Sequence, residues 1–333
     1  MLSFKTIFLK GKTLYILDQL KLPHEEVYIR ARSGRAVYRA IKEMNLRGAP
    51  LIGVAAAYGV LVEAFRNPEK ENLLKTIKLL RLARPTAVNL NWALDRMARV
   101  VRQKGKDLLA SLKKEAEAIE TEDKESCRLM GEYGAQLIKS GATILVHCNA
   151  GALATTGIGT GLGVIYTAKV EGKRFKVFCT ETRPYLQGAR LTSWELKKNG
   201  ITPTLICDSA VASIMPDIDI VIVGGDRIAL NGDTANKVGT KTIAIVAKEH
   251  KVPFIVVAPR SSIDFKIKRG VDIPIEYRDS KEVTEFKGLR IATYNINVLN
   301  PSFDVTPARY ITAIVTEKGI LNPPYNRSIP EIL

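Results

Sequence analysis

Side chains that bind metals or form disulfides are scarce in this chain of 333 residues. It has 3 histidines and 4 cysteines, and no two cysteines are spaced as Cys-x-x-Cys. A structural zinc site or a disulfide framework needs such residues in close groups. The sequence therefore indicates neither kind of site.

Long apolar runs are also missing. No stretch approaches the roughly 20 apolar residues that a membrane-spanning helix needs. The first residues lack the charged region, apolar core and small-residue cleavage site of a signal peptide. We therefore expect a soluble, cytoplasmic protein that does not bind a membrane.

Acidic residues are fewer than basic ones, with 34 Asp and Glu against 50 Lys and Arg, which gives a formal net charge of +16. This excess favours anionic partners, either nucleic acid or a phosphorylated metabolite. The basic residues are dispersed, often beside Glu or Asp, and form no arginine-rich tail. We therefore expect a small phosphorylated ligand and no nucleic acid.

The second half of the chain contains repeated β-rich apolar runs, each of which ends in a polar or turn-forming cluster. Segments with helical periodicity separate them, a pattern typical of β-α units and a parallel sheet. The predicted fold is α/β, with a C-terminal Rossmann-like parallel sheet that carries helices on both faces. The runs are Thr143–Cys148, Phe175–Glu181, Thr202–Asp208, Asp219–Asp226 and Pro253–Pro259.

The first part of the chain predicts a smaller α+β domain. Short strands precede helical segments, and Ser33 and Pro50 are suited to the starts of two of the helices. We expect this domain to cover residues 1–120 and the Rossmann-like domain to cover 121–333. In the C-terminal part, residues 308–315 are predicted to form a helix.

A thiol and a carboxylate follow two of the apolar runs. Ligands of parallel sheets bind beyond the carboxyl ends of the strands, which is where Cys148 and Asp226 are predicted to lie. Cys148 precedes a helix start, which favours thiolate, although a buried strand-end cysteine would fit the same position. Apolar surroundings would raise the pKa of Asp226 and suit a proton donor. His147, on the other strand face, is expected to be structural.

Three further segments are candidates for ligand binding. The glycine-rich residues 149–163 would bring backbone amides close to an anion, but tight packing explains such loops equally well. Their spacing matches neither the dinucleotide nor the Walker pattern. Arg47 and Arg84 each stand before a helix, where an arginine can bind phosphate or form a surface ion pair.

Several ordered motifs resemble the methylthioribose-1-phosphate isomerases, a family grouped with the initiation factor 2B alpha/beta/delta-like proteins. The resemblance covers nearly the whole chain. It is carried by Arg47–Gly59, Ala83–Leu90, His147–Ala154, Glu181–Arg190 and Gly225–Lys237.

This resemblance implies an aldose–ketose isomerase that converts 5-methylthioribose 1-phosphate to 5-methylthioribulose 1-phosphate in methionine salvage. It implies Cys148 as a catalytic residue and Asp226 as the catalytic proton donor. It also implies no metal, no organic cofactor and a homodimer. The implied substrate-binding residues are Arg47, Gly48, Ala49, Arg84, Gln187, Asn236 and Lys237.

Other functions fit parts of the sequence. The substrate could be another phosphorylated pentose, either ribose 1,5-bisphosphate or 5-deoxyribose 1-phosphate. The chain could also be a non-catalytic initiation factor 2B-like regulatory subunit. For the isomerase, Cys148 could act as a base through an enol phosphate or stabilise a hydride-like shift. If the arginines and Cys148 serve one substrate, the site is expected in an interdomain cleft.

Overall fold

The computed structural model describes residues 2–84, 87–103, 107–286 and 288–332. The chain divides into two compact units. The first unit contains the residues up to Leu129 together with Ala150–Gly163, and the second contains Met130–Asn149 and Val164 onward. The predicted boundary between residues 120 and 121 stays a prediction.

The first unit begins with a three-stranded antiparallel sheet and continues with helices. Ser33 starts the first helix as predicted, because its hydroxyl accepts the Ala36 N–H at 3.2 Å. Pro50 lies in the first turn of the second helix, also as predicted. The elements are β1 (Ile7–Lys10), β2 (Thr13–Leu17), β3 (Tyr28–Ala31), α1 (Gly34–Lys42), α2 (Ala49–Ala64), α3 (Lys70–Arg81), α4 (Val88–Arg102) and α5 (Leu108–Ala135), of which residues 130–135 belong to the second unit.

Helix α2 forms the centre of the first unit and is almost entirely buried. Its small side chains allow neighbouring helices to approach closely. A Cβ atom added at Gly53 would lie 2.9 Å from the backbone oxygen of Asn89 in α4. A Cβ atom added at Gly59 would lie 3.2 Å from Val37 in α1. The glycines of α2 therefore set the distance to both neighbouring helices.

The second unit is built on a seven-stranded, mostly parallel sheet with the order β16-β15-β10-β7-β4-β5-β6. Only the β15–β16 pair among these is antiparallel in the described part of the chain. This confirms the predicted α/β fold class. The strands are β4 (Ala142–Val146), β5 (Phe175–Thr180), β6 (Thr204–Ile206), β7 (Ile220–Val223), β10 (Phe254–Val257), β15 (Ala313–Thr316) and β16 (Gly319–Leu321).

Helices in the connections between these strands account for the predicted alternation of β and α segments. They are α6 (Gly161–Val170), α7 (Ser193–Lys198), α8 (Val211–Ile214), α9 (Thr240–Glu249) and α10 (Lys281–Thr284), and α11 (Tyr325–Ser328) follows the last strand, β16. Smaller sheets contain β8 (Arg227–Ala229), β9 (Thr234–Lys237), β11 (Ile263–Asp264), β12 (Glu285–Phe286), β13 (Leu289–Arg290) and β14 (Phe303–Thr306).

The helix predicted for residues 308–315 is wrong. Residues 308–310 form a single 3₁₀ turn, and β15 follows at Ala313–Thr316. All of β15 is buried, and it pairs with β10 on one side and β16 on the other. A short buried apolar run has no periodicity that separates strand from helix, so tertiary pairing decides.

The order of the parallel strands reverses at β4. The connection after β4 leads to β5 on one side, whereas β7 lies on the other side of β4. In open α/β sheets, this reversal leaves a crevice beyond the carboxyl ends of the two central strands. From this topology we expect a ligand to bind beyond the ends of β4 and β7.

Candidate active site

Cys148 and Asp226 follow the two strands that flank the reversal. Strands β4 and β7 are hydrogen-bonded neighbours, with Val146 opposite Ile222. Cys148 comes two residues after β4, and Asp226 comes three residues after β7. Both residues are partly exposed. The thiol and the carboxylate thus belong to adjacent strand ends at the crevice.

The backbone of Cys148 is in the left-handed region, with φ at +64°. A residue with a side chain rarely adopts this conformation and needs its surroundings to hold it there. Here the Cys148 N–H donates to Thr182 Oγ1 at 3.0 Å, and its carbonyl accepts from Thr192 Oγ1 at 2.6 Å. Two threonines therefore fix the position from which the thiol projects.

Gln187 lies beside the thiol. Its side chain is 2% exposed, and its Nε2 lies 3.4 Å from Cys148 Sγ as a donor. Its Oε1 is buried and has no hydrogen-bond partner among the residues that the structure describes. An unpaired buried carbonyl oxygen is costly, by about 1–3 kcal/mol. Such an oxygen is suited to accept a hydrogen bond from a ligand hydroxyl.

The loop that carries Gln187 is fixed by Asp208. Asp208 ends the apolar run Thr202–Asp208, and its carboxylate accepts the N–H groups of Thr182 at 2.7 Å and Arg183 at 2.6 Å. Thr182 has a φ of +61°. Sequence reasoning missed the roles of Thr182, Thr192 and Asp208, because each depends on a contact between distant segments.

Asp226 is held at its backbone by the strand that follows it. Its N–H donates to the Ala235 carbonyl at 2.9 Å. Asn236 and Lys237 come next on β9, where Asn236 is buried and its Nδ2 donates to Thr240 Oγ1 at 2.9 Å. The Nζ atom of Lys237 lies 4.8 Å from the centre of the Phe303 ring. The strand β9 therefore presents an amide and a cation from positions next to each other.

In the first unit, Arg47, Gly48 and Ala49 form the start of α2. Gly48 has a φ of +98°, and a Cβ atom there would lie 2.5 Å from Ala154. Only glycine fits between α2 and the glycine-rich loop 150–163 at this point. The start of α2 thus lies beside that loop, and a helix N-terminus favours an anion.

The other predicted residues of the first unit are only partly defined. Arg84 is half-buried and stands just before α4. The neighbouring Pro85 and Thr86, which belong to the same predicted motif, lie outside the described residues. Within the described part of the chain, no group of three His, Cys, Asp or Glu side chains could hold a metal ion.

The amino-acid sequence is similar to a known protein family and to named enzymes within it. Residues 45–323 match the model of the initiation factor 2 subunit family. The chain is 51% identical over 340 residues to a methylthioribose-1-phosphate isomerase from Geotalea uraniireducens, with 98% of each chain covered. It is 52% identical over 342 residues to the enzyme of that name from Caldanaerobacter subterraneus, with 99% of each covered.

Solved structures give the same fold. A 5-methylthioribose 1-phosphate isomerase from Pyrococcus horikoshii is 42% identical, with a TM-score of 0.92 over 98% of this chain and 95% of that one. A structure described as translation initiation factor eIF-2B, subunit delta, from A. fulgidus is 40% identical, with a TM-score of 0.91 over 99% of each chain.

The fold and the site define an α/β protein that carries a thiol and a carboxylate at the switch point of a parallel sheet. The chain belongs to the initiation factor 2 subunit family and, within it, to the methylthioribose-1-phosphate isomerases.

Proposed function

We propose that the protein is an aldose–ketose isomerase of methionine salvage, which converts 5-methylthioribose 1-phosphate to 5-methylthioribulose 1-phosphate. The full-length similarity to enzymes named for this substrate supports the proposal. One structural observation carries it: Cys148 and Asp226 follow adjacent strands at the switch point, and Gln187 contacts the thiol.

The substrate sets a particular chemical problem. Its anomeric oxygen carries the phosphate, so the ring cannot open as a free hemiacetal does. An acid must protonate the ring oxygen so that the C1–ring oxygen bond can break. We assign this role to Asp226, since a positioned carboxylic acid can supply the proton in a partly enclosed site. The product of this step is an open chain with an electrophilic C1.

The second step moves hydrogen from C2 to C1. The C2 hydroxyl then loses its proton to the Asp226 carboxylate left by the first step, and C2 becomes the ketone carbonyl. We assign its assistance to Cys148, the reactive side chain at the end of β4. The neighbouring Gln187 has an unsatisfied Oε1, which would accept a substrate hydroxyl. Asn236 and Lys237 of β9 would bind further hydroxyls. Fixing the sugar at several points holds C1 and C2 against the thiol.

The phosphate is assigned to the first unit. Arg47 and Arg84 supply guanidinium groups, which bind phosphate oxygens in pairs. Gly48 and Ala49 supply backbone amides at the start of α2, where the helix dipole favours an anion. These assignments follow the family resemblance and are supported by the left-handed Gly48 at the helix start.

Three further properties are part of the proposal. The enzyme would act without a metal or an organic cofactor, would form a homodimer and would work in the cytoplasm. The first two come from the family resemblance, and the third is the expectation drawn above from the amino-acid sequence. Light scattering during gel filtration tests the assembly, because a dimer has twice the chain mass of 36.7 kDa.

The substrate is tested by assaying three sugar phosphates side by side. We expect 5-methylthioribose 1-phosphate to give a higher kcat/KM than 5-deoxyribose 1-phosphate and ribose 1,5-bisphosphate. The 5-deoxy compound is a matched control, since it differs only at the methylthio group. A higher kcat/KM for either alternative would overturn the substrate assignment. No turnover of any of the three would favour the regulatory-subunit function.

A further inference from the structure

His147 precedes Cys148 and is fully enclosed in the second unit. Its side chain is 2% exposed, and both ring nitrogens have partners. Nε2 lies 2.9 Å from the carbonyl oxygen of Val238, and Nδ1 lies 2.7 Å from Thr180 Oγ1. The ring also lies against Gly239, where an added Cβ would be 3.0 Å from Cε1.

These contacts determine which nitrogen carries the proton. A carbonyl oxygen only accepts, so Nε2 is protonated and donates to Val238. Burial lowers the pKa of His147, and the charge of Lys237 adds to this effect while that of Asp208 opposes it. The ring is therefore neutral, and Nδ1 accepts a hydrogen bond from the Thr180 hydroxyl.

The hydrogen bonds continue from the ring to the backbone of Cys148. Since the Thr180 hydroxyl donates to His147, its oxygen accepts from the Thr182 hydroxyl at 3.1 Å. Thr182 Oγ1 in turn accepts the N–H of Cys148 at 3.0 Å. The Thr182 hydroxyl also lies 3.4 Å from the Thr180 carbonyl oxygen, so Thr180 offers it two acceptors. The bonds from His147 to the Cys148 N–H therefore form one connected path through Thr180 and Thr182.

At its other end the path reaches the segment that follows Asn236 and Lys237. Val238 comes directly after Lys237, and Thr240 Oγ1 donates to the Lys237 carbonyl at 2.6 Å. Asp304 accepts the Gly239 N–H at 2.8 Å and so fixes the same turn from the β14 side. Two hydrogen bonds therefore hold this turn beside the ring.

We propose that His147 is a positioning residue. Through Thr180 and Thr182 it holds the left-handed backbone of Cys148 at a fixed position relative to Asn236 and Lys237 of β9. This inference rests on the proposed function, because it concerns the alignment of the thiol with the residues assigned to the substrate hydroxyls. We assign His147 no contact with the substrate, because its ring is buried and both ring nitrogens have protein partners. Its effect on turnover passes through the position of the thiol.

The test uses substitutions that interrupt the path at one point. Thr180→Val removes the hydroxyl and keeps the shape of the side chain, whereas Thr180→Ser keeps the hydroxyl. His147→Gln places an amide near the Nε2 position, and His147→Asn places one near the Nδ1 position. Thr316→Val is the matched control, because Thr316 is equally buried at the end of β15 and its hydroxyl bonds within its own turn.

We expect Thr180→Val to lower kcat by about 5- to 10-fold with little change in KM, the effect of one misplaced hydrogen bond on a reacting group. Thr180→Ser should restore most of kcat, and Thr316→Val should keep it. Both His147 variants should lower kcat further than Thr180→Val does. Thermal unfolding identifies any variant that fails to fold, and Thr180→Val then carries the test, since it changes one hydroxyl.

A second measurement does not depend on the isomerase reaction. The rate at which iodoacetamide alkylates Cys148, followed by mass spectrometry of its peptide, should rise in Thr180→Val because the thiol is no longer held against Gln187. Unchanged alkylation and unchanged kcat in Thr180→Val and both His147 variants would overturn the proposal. If the wild-type protein lacked isomerase activity, the proposed function would fail, while alkylation would still decide the role of His147.

Discussion

At the scale of single residues, two features define the site. Some side chains hold the proposed reacting groups in place, and one side chain has an oxygen without a hydrogen-bond partner among the described residues. Cys148 keeps its left-handed backbone because Thr182 and Thr192 bind both of its peptide groups. Gln187 has a buried Oε1 without a partner among the described residues. An unpaired buried oxygen destabilises the folded protein. A ligand hydroxyl that donates a hydrogen bond to this oxygen would remove that destabilisation and so favour binding.

Replacing Gln187 should therefore separate activity from stability. We expect Gln187→Leu to lower kcat/KM by about 10- to 100-fold, because a substrate hydroxyl loses its acceptor. The melting temperature should not fall, since the leucine removes an unsatisfied buried oxygen. Steady-state assays and thermal unfolding measure the two effects. Gln136→Leu is the control, because it makes the same substitution at an exposed position. A destabilised variant with normal kcat/KM would show that Gln187 is structural.

At the scale of elements, the close packing of α2 requires glycine at positions where helical propensity alone would favour alanine. Alanine normally stabilises a helix interior over glycine by about 0.5–1 kcal/mol. At Gly53, however, the new Cβ would lie 2.9 Å from a backbone oxygen of α4, which cannot move aside easily. We expect Gly53→Ala to destabilise the protein by about 1–3 kcal/mol, the usual cost of overpacking.

Urea unfolding measures this change in the free energy of unfolding. Gly163→Ala in α6 is the comparison, because its nearest contact is a side-chain atom at 3.3 Å. We expect a smaller loss there. A Gly53→Ala variant more stable than the wild type would mean that α2 and α4 have room to separate.

The glycine-rich loop of the first unit is tied to α5 by Asp123. Its Oδ2 accepts both the N–H and the hydroxyl of Thr156 at 2.6 Å. Burial raises the pKa of Asp123, with a further rise from Glu120, whereas Thr156 and Lys124 oppose the rise. The folded protein therefore holds this proton to a higher pH than the unfolded chain does.

This difference gives a pH dependence of stability with a definite sign. Because the folded-state pKa is raised, the contribution of Asp123 to stability is largest at low pH and falls as the pH rises from about 4 through the folded-state pKa. The Asp123→Asn variant has no titrating group at this position, so it does not lose stability in this way as the pH rises. As the pH rises, the free energy of unfolding of the wild type should therefore decrease relative to that of the Asp123→Asn variant. A constant or opposite difference across the titration would contradict the raised pKa.

The sequence predicted much of the framework and part of the site. The apolar runs before Cys148 and Asp226 became β4 and β7, since buried strands of a parallel sheet are marked by their composition. The left-handed Cys148 and the clamp by Asp208 could not be predicted, because they depend on contacts with Thr182, 26 or more positions away. β15 was missed because a short apolar run carries no periodicity.

At the scale of the whole molecule, we propose that the isomerase needs neither a metal nor an organic cofactor, as the family resemblance implies. In the part of the chain that the structure describes, no group of three potential ligands could hold a metal ion. We expect full activity after treatment with EDTA and gel filtration. Loss of activity on chelation, with recovery on adding one divalent ion, would show that a metal takes part in the reaction.

The central claim is that this chain isomerises the sugar phosphate with Cys148 and Asp226. It is tested most directly by following 5-methylthioribose 1-phosphate labelled with ¹³C at C1 by NMR, with the wild type, Cys148→Ser and Asp226→Asn. The wild type should convert C1 from an acetal CH to a CH₂ that carries phosphate, and each folded variant should do so at least ~10²-fold more slowly. Conversion by either variant at the wild-type rate, or none by the wild type, would contradict it.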